Sequence, residues 1–301
     1  MNNVWFITGS ARGLGRSLTE AVLAHGDRVA ATARHPEQLA DLVARHGAQV
    51  LPLALDVTHP AQITAAVAAA VAHFGRLDVV VNNAGFGITG AAEAYTDEQV
   101  RSQLETNLYA PIAITRAVLP YLRRQRSGHI LQISSVGGRV GNAGVSVYQA
   151  AKFGLGGFSE ALAKEVAPLG IRVTSVEPGG FRTDWAGASM TFAPAIEGYD
   201  LVAQRAEFFA SGNFVPVGDP AKGAQVLINL VAHPHPPVHL VLGSEAAAML
   251  RQADADRQAE FEQWLPVTLS TDHDEADAGN FLQTAMGQSL LAEQQNARGA
   301  E

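Results

Sequence analysis

The chain has 301 residues, of which 47% are hydrophobic and 17% charged, so it can form one large domain with a full core. It contains no cysteine, which excludes disulfide bonds, thiolate nucleophiles and cysteine-bound metals and fits a reducing cytoplasm. The formal net charge of -8 argues against nucleic acid as the main partner. No apolar run approaches the ~18 residues that a membrane-spanning helix needs, and the first nine residues lack the basic start of a signal peptide.

A short apolar segment, residues 3–8, runs into a glycine-rich turn and then into an amphipathic segment that ends near His25. This order predicts a strand, a turn and a helix. Gly9, Gly13 and Gly15 would let the backbone approach a pyrophosphate, and the N-terminus of the helix would offer it free N–H groups. A plain strand-to-helix turn explains the motif about as well when it is taken alone.

Strand and helix patterns then alternate along the chain. Further strands are predicted at residues 27–32, 49–54, 77–81, 129–134, 172–176 and 238–242. Helices are predicted at residues 36–46, 60–74, 96–126, around residue 148, from residue 220 and at 244–259. This alternation predicts an α/β fold with a parallel sheet and helices on both faces. Ligands bind beyond the carboxyl ends of such strands, where Gly9, Arg34, Asp56 and Asn83 fall.

The helix predicted at residues 96–126 begins with a capping box, Thr96 to Gln99, and is interrupted by Pro111. Because proline has no backbone N–H, it cannot bond the carbonyl of Asn107 four residues earlier. We therefore predict a kink at Pro111 and a free Asn107 carbonyl that is available to a water.

Tyr148 and Lys152 are four residues apart, which places both side chains on one face of a helix. A unit charge ~4 Å away at an effective dielectric of ~20 is worth ~4 kcal/mol, or roughly three pK units. Lys152 is therefore predicted to lower the pKa of Tyr148 towards neutrality and so allow acid–base chemistry. A chance surface pair is the alternative. Small residues in the same helix, including Gly154 and Gly157, predict a closely packed partner.

The C-terminal third is less regular. Residues 184–217 form an irregular, aromatic stretch that is typical of a lid or substrate loop. His233, His235 and His239 surround a proline-rich connector, but carboxylates at ligand spacing are missing, so no metal site is predicted. From Thr271 the chain carries six acids and one base without strong periodicity. We predict a main domain over residues 1–270 and a partly ordered acidic extension over residues 271–301.

Taken together and in order, the motifs resemble the classical short-chain dehydrogenase/reductase family over residues 3 to about 260. The resemblance rests on Gly9, Gly13 and Gly15, the segment 82–85, Asn107, Ser135, Tyr148 with Lys152, and Pro178–Gly179 with Thr183. It implies a single-domain, Rossmann-type, doubly wound sheet of about seven strands. It also implies a catalytic set of Asn107, Ser135, Tyr148 and Lys152, in which Tyr148 is the general acid or base and Asn107 holds a water.

The resemblance implies roles for further residues. The cofactor would be bound by Thr8, Gly9, Ser10, Arg12, Gly13, Leu14, Gly15, Arg34, Asp56, Val57, Asn83, Ala84, Gly85, Tyr148, Lys152, Pro178, Gly179 and Thr183. The substrate would meet Phe86, Val136, Phe181 and Trp185. For three of these residues a purely structural role is the alternative. Ser135 would then cap a loop, Asn107 would be a kink residue and Thr183 would be a helix N-cap.

NADP(H) is expected rather than NAD(H). NAD-specific members of the family carry an acid at the end of the second strand, whereas this chain has Arg34 and His35 there. Arg34 and Arg12 would clamp a 2′-phosphate. The alternative is that both arginines are solvated charges at helix starts.

These observations predict an NADP(H)-dependent oxidoreductase acting on a small carbonyl/alcohol substrate. The aromatic, poorly charged stretch from residue 181 to 214 favours an apolar substrate. A dinucleotide-binding sensor or scaffold without turnover and a nucleotide-sugar epimerase are the alternatives. The family resemblance also implies a homodimer or homotetramer that packs through the helices of Asn107 and Tyr148.

Overall fold

The computed structural model describes residues 2–183, 185, 189–212, 215–273 and 281–298. Over these residues the strands are β1 (Val4–Ile7), β2 (Arg28–Ala33), β3 (Val50–Ala54), β4 (Val79–Asn82), β5 (Gly87–Thr89), β6 (Gly128–Ile133), β7 (Ile171–Pro178), β8 (Met190–Phe192) and β9 (His239–Leu242). Seven of them form one parallel sheet in the order β3-β2-β1-β4-β6-β7-β9, which confirms the predicted fold class.

The same residues contain the helices α1 (Gly13–Ala24), α2 (Ala40–His46), α3 (Pro60–Phe74), α4 (Asp97–Leu104), α5 (Ala110–Gln125), α6 (Ser146–Val166), α7 (Asp200–Ala210), α8 (Pro220–Ala232), α9 (Ser244–Leu269) and α10 (Ala285–Arg298). A 3-10 turn, Pro36–Leu39, replaces the first turn of the helix predicted at residues 36–46. The last predicted helix continues beyond residue 259 to Leu269 and contains Pro266 in its last turn.

Side chains of β1 alternate between the two faces of the sheet, as the period of two in a strand requires. Trp5 and Ile7 pack with Leu18 and Val22 of α1 and with residues of α8. Val4 and Phe6 point to the opposite face, where residues of α3, α5 and α6 cover them. Because β1 is flanked by β2 on one side and β4 on the other, the chain connections diverge there and open a crevice at the carboxyl ends.

Helix α4 begins with the predicted capping box, in which the Thr96 and Gln99 side chains each bond the other residue's backbone N–H. A π-helical turn, Glu105–Tyr109, joins α4 to α5 directly before Pro111. A π-turn with an inserted residue is a common adjustment where the regular helical ladder is broken. The interruption therefore falls where the sequence predicts a kink, and a water on the Asn107 carbonyl stays a prediction.

Two stretches contain more regular structure than expected. The stretch 184–217, predicted to be irregular, contains β8, which pairs in parallel with β5, and helix α7. That prediction was wrong for these residues, because the partner of β8 lies about a hundred positions earlier and gives no local signal. Residues 184, 186–188, 213 and 214 of this stretch lie outside the described residues. The tail contains α10, and residues 274–280 and 299–301 lie outside them as well.

Over the described ranges, the helices lack the combined length and apolar character needed to cross a membrane. In that part of the chain, no three histidine or acidic side chains are grouped so that they could hold a metal ion. His239 instead lies beside the buried carboxylate of Glu177, with 2.6 Å between Nδ1 and Oε1.

Candidate active site

The glycine turn lies between β1 and α1 at the switch point of the sheet. Gly9 and Gly13 have φ angles of 69° and 57°, in the left-handed region that favours glycine. A Cβ on Gly15 would overlap the side chain of Asn83 and the carbonyl of Gly9. Among the described residues no side chain caps the first turn of α1, so its N–H groups are available to an anion. The turn therefore fits the pyrophosphate of a dinucleotide.

Thr8 and Ser10 support this turn from behind. The Thr8 hydroxyl accepts bonds from the backbone N–H groups of Asn83 and Ala84 at 2.9 and 3.0 Å. The Ser10 hydroxyl donates to the carbonyl of Ile7 at 2.9 Å. Both side chains are buried, and neither these residues nor Gly15 line the cleft. Their predicted place at the cofactor is therefore indirect in this structure, because they hold the residues that do face the cleft.

A cleft of about 720 Å³ extends from the glycine turn along the carboxyl ends of the strands. One end is lined by Arg12, Arg34, Asp56 and Val57, and the other end reaches the start of α6. The remaining predicted cofactor residues on its wall are Gly9, Gly13, Leu14, Asn83, Ala84, Gly85, Pro178, Gly179, Thr183, Tyr148 and Lys152. The cleft is long enough to bring an anion at the glycine turn and a reactive group at Tyr148 into one site.

Ser135 lies two residues after β6 and begins a 3-10 turn, Val136–Gly138. Its hydroxyl accepts a bond from the N–H of Gly137 at 2.9 Å, so the loop-cap interpretation is correct. The same side chain lies near the Tyr148 ring, since a Cβ on Gly137 would lie 3.3 Å from Ser135 Oγ and 3.5 Å from Tyr148 Cε1. Ser135 and Tyr148 therefore meet in the cleft, although they come from a strand end and a helix. Both hydroxyls can therefore donate a hydrogen bond to the same substrate oxygen.

Burial raises the pKa of Tyr148 to about 12, although its interaction with Ser135 lowers it. The predicted shift towards neutrality was therefore wrong for this arrangement. Burial also lowers the pKa of Lys152 to about 8, because removing the ammonium from water penalises its charged form. The phenol of Tyr148 is protonated near neutral pH, which is the form that a general acid needs.

Asn107 is fully buried in the π-turn and does not line the cleft. Its Nδ2 donates to the carbonyl of Phe86 at 2.7 Å, and its Oδ1 accepts from the Phe86 N–H at 3.1 Å. Gln103, one turn earlier, adds a bond to the same carbonyl at 2.8 Å. Asn107 thus holds the backbone of a residue that does line the cleft. The kink-residue interpretation fits this position, and a catalytic role for Asn107 stays a prediction.

Four side chains were predicted to meet the substrate. Trp185 and Phe86 line the cleft, and the Trp185 ring lies 5.6 Å from the Tyr148 ring, centroid to centroid. Val136 is buried and does not line it. Phe181 reaches the wall, but its ring packs against α8, where a Cβ on Gly223 would lie 2.8 Å away. The structure thus favours Trp185 and Phe86 over the other two.

Three residues that line the cleft or support its wall were not among the predicted site residues. Arg205 and Phe209 of α7 line the cleft near Trp185, and their spacing of four residues on a helix was the signal that could have found them. Glu245, at the start of α9, accepts a bond from the N–H of Gly180 in the turn after β7. No local pattern could reveal this contact, because 65 residues separate the two partners. The Thr183 hydroxyl accepts from the N–H of Trp185 at 3.3 Å, and the predicted N-cap role falls on residues 184 and 186–188, which lie outside the described residues.

The switch-point crevice with its anion-binding turn defines a dinucleotide-binding protein, and the paired hydroxyls at the far end of the same cleft fit oxidoreductase chemistry. The family model described as short chain dehydrogenase matches residues 3–192. The chain belongs to this family, and it is an NAD(P)-dependent oxidoreductase of that kind.

The chain is 45% identical over 273 residues to oxidoreductase BOA17 of Botryotinia fuckeliana (strain B05.10), covering 90% of this chain and 100% of that one. A short-chain dehydrogenase from Streptomyces avermitilis has a similar solved structure, with a TM-score of 0.85, 38% identity and coverage of 91% and 99%. A short chain dehydrogenase from Burkholderia cenocepacia J2315, solved in complex with NADP, matches with a TM-score of 0.69, 25% identity and coverage of 88% and 98%.

Proposed function

We propose that this chain is an NADP(H)-dependent carbonyl reductase and alcohol dehydrogenase in which Tyr148 is the general acid in reduction and the general base in oxidation. This proposal rests on one observation: the buried Tyr148 and Ser135 line the same cleft as the anion-binding glycine turn. A nicotinamide bound in this cleft would supply or take up the hydride, because no side chain can.

The side chains have separate tasks in this proposal. In reduction, negative charge builds on the substrate oxygen, where the Ser135 hydroxyl donates a hydrogen bond and Tyr148 transfers its proton. Lys152 holds the nicotinamide ribose and, while protonated, stabilises the tyrosinate that proton transfer leaves behind. Trp185 lies against the Tyr148 ring and keeps water from that face of the phenol.

The preference for NADP(H) is supported by the end of β2. Arg34 is exposed there and lines the cleft together with Arg12 on the facing turn. Neither guanidinium is paired with a described residue, and no acidic residue follows β2 directly. Two unpaired guanidinium groups suit a 2′-phosphate and offer no acceptor to the ribose hydroxyls of NAD(H).

A homo-oligomer is proposed as well, in the reducing cytoplasm that the cysteine-free sequence fits. Tyr109, at the end of the π-turn, and Phe153 of α6 are 46% and 43% exposed. Aromatic side chains are enriched at subunit interfaces relative to the rest of a protein surface. Sedimentation velocity measures the mass directly, and a monomer at all concentrations would reject this part of the proposal.

The function is tested with a panel of ketones, aldehydes and alcohols, each assayed with NADPH or NADP⁺ and with NADH or NAD⁺. The wild type is expected to oxidise NADPH with at least one carbonyl, and Tyr148→Phe is expected to lose roughly two to four orders of magnitude in rate while still binding NADPH. Unchanged turnover in this variant would reject the assigned mechanism. Dinucleotide binding without turnover on any substrate would favour the sensor or scaffold instead.

A further inference from the structure

Helix α7 covers the substrate end of the cleft with one face. Val202, Arg205 and Phe209 are spaced by three and four residues, so they share that face. The first two rest on the loop that leads into α6, since a Cβ on Gly144 would lie 3.3 Å from Val202 and 3.5 Å from Arg205. Arg205 and Phe209 both line the cleft.

The rings of this region form a continuous path outward from Tyr148. The Trp185 ring lies 5.6 Å from Tyr148, and the Phe209 ring lies 6.4 Å from Trp185. Arg205 is one helical turn away from Phe209 on the same face of α7. The path therefore starts at a proton donor, passes two aromatic rings and ends at a cation.

Arg205 has no counter-ion in the part of the chain that the structure describes. Its side chain is half-buried, and no described residue bonds or pairs with it. The other cations that line the cleft do not serve this end of it: Arg12 and Arg34 lie at the opposite end, and Lys152 donates to the carbonyl of Ile133. A half-buried guanidinium offers five donors and binds a carboxylate through two parallel bonds.

We propose that the substrate is a carbonyl compound that also carries a carboxylate, which Arg205 binds, with an apolar spacer packed against Trp185 and Phe209. This inference rests on the proposed function, because it places the carbonyl at Tyr148. It refines the apolar substrate expected from the sequence, since only the middle of the molecule is apolar. The carboxylate orients the substrate and adds affinity, and it takes no part in hydride or proton transfer.

The test compares each keto acid with its own methyl ester, which changes the charge and little else. Suitable pairs are 4-acetylbenzoate and methyl 4-acetylbenzoate, and 5-oxohexanoate and methyl 5-oxohexanoate, which differ in spacer. The ratio of kcat/KM for acid over ester is measured for the wild type, Arg205→Gln and Arg205→Lys. Arg116→Gln, which removes an exposed charge from α5, is the matched control.

The wild type is expected to prefer the acid in at least one pair, and Arg205→Gln is expected to lower the ratio roughly tenfold or more through KM. Arg205→Lys should retain part of the preference, because it keeps the charge without the bidentate geometry. Arg116→Gln should leave the ratio unchanged. A wild-type preference for the ester in both pairs, or the same ratio in Arg205→Gln, overturns the inference.

The assays distinguish a missing carboxylate site from a missing reductase activity. Turnover of the esters that depends on Tyr148 but shows no preference for the acids rejects the role of Arg205 alone. No turnover of any pair rejects the reductase for these substrates, and 4-acetylbenzoate binding is then followed by tryptophan fluorescence, since Trp185 lines the path. Equal acid affinity in the wild type and Arg205→Gln would reject the proposed carboxylate site there too.

Discussion

The ammonium nitrogen Nζ of Lys152 lies 2.7 Å from the carbonyl oxygen of Ile133, the last residue of β6. One residue further along, the hydroxyl of Ser134 donates to the backbone carbonyl of Lys152 at 3.2 Å. Helix α6 is therefore bonded twice to the strand end that carries Ser135. These two bonds fix the distance between the Ser135 and Tyr148 hydroxyls, which come from different elements.

Lys152 leads to a prediction on pH. Its pKa is lowered to about 8, so the ammonium is charged below about pH 8 and neutral above it, whereas Tyr148, with a pKa of about 12, keeps its proton throughout. We expect kcat/KM for carbonyl reduction to fall as pH rises through about 8, because the tyrosinate loses its stabilising charge. A profile from pH 6 to 10 measures this. A rate that stays flat to pH 10 would contradict the assignment to Lys152.

Arg34 provides a test of cofactor choice. We expect Arg34→Ala to raise KM for NADPH by roughly tenfold or more and to leave KM for NADH nearly unchanged, because only NADPH carries the 2′-phosphate. Steady-state kinetics with both cofactors give the two constants, and Arg116→Ala controls for the loss of one positive charge. A clear preference of the wild type for NADH would contradict the proposed preference for NADP(H).

Replacing each of two helical glycines by alanine is expected to change the free energy of unfolding in opposite directions. In Gly15→Ala the new methyl group would overlap Asn83 and the carbonyl of Gly9, so we expect a loss of ~1–3 kcal/mol in the free energy of unfolding and weaker dinucleotide binding. Gly157 of α6 has no described atom within 4 Å of its Cβ position in a single subunit, so Gly157→Ala should gain ~0.5–1 kcal/mol in the monomer. Gly157 shares a helix face with Phe153, so the proposed oligomer contact would reduce this gain.

Urea denaturation of both variants gives these free energies, and fluorescence titration gives the affinity for NADPH. Equal stability of Gly15→Ala and the wild type would show that the turn tolerates a side chain. A loss of stability in Gly157→Ala would instead place that face of α6 against a second subunit.

Because of His129, the stability of the folded protein is expected to fall at acidic pH. Its imidazole is buried, Nε2 lies 3.0 Å from Thr174 Oγ1, and burial first and the nearby charge of Arg172 second lower its pKa to about 3. The unfolded chain takes up this proton near pH 6.5, but the folded chain does so only near pH 3, so stability is lost as pH falls between these values.

The expected loss is about 1.4 kcal/mol per pH unit below 6.5, or about 2 kcal/mol at pH 5. The control is His129→Gln, which lacks the titrating group, because other acids also titrate in this range. Urea denaturation at pH 7 and pH 5 gives the difference for each protein. An equal loss in both would mean that His129 does not carry the effect.

Local rules accounted for the elements of this protein. The Thr96–Gln99 capping box, the glycine turn and the alternation of strands and helices depend on residues a few positions apart, so the sequence alone determined them. The same holds for the common face of Tyr148 and Lys152, because a spacing of four in a helix leaves no other arrangement. The class of fold and the candidate cofactor cleft follow from these short-range rules.

Tertiary structure decided what depends on distant partners. The pKa direction of Tyr148 is set by burial under Trp185 and its neighbours, and the Lys152 tether needs β6 beside α6. Asn107 faces the backbone of Phe86 only because the π-turn packs against that segment. Arg205 reaches the cleft because α7 folds back over the loop before α6. Burial and long-range contact are properties of the packed chain, and no pattern of neighbouring residues contains them.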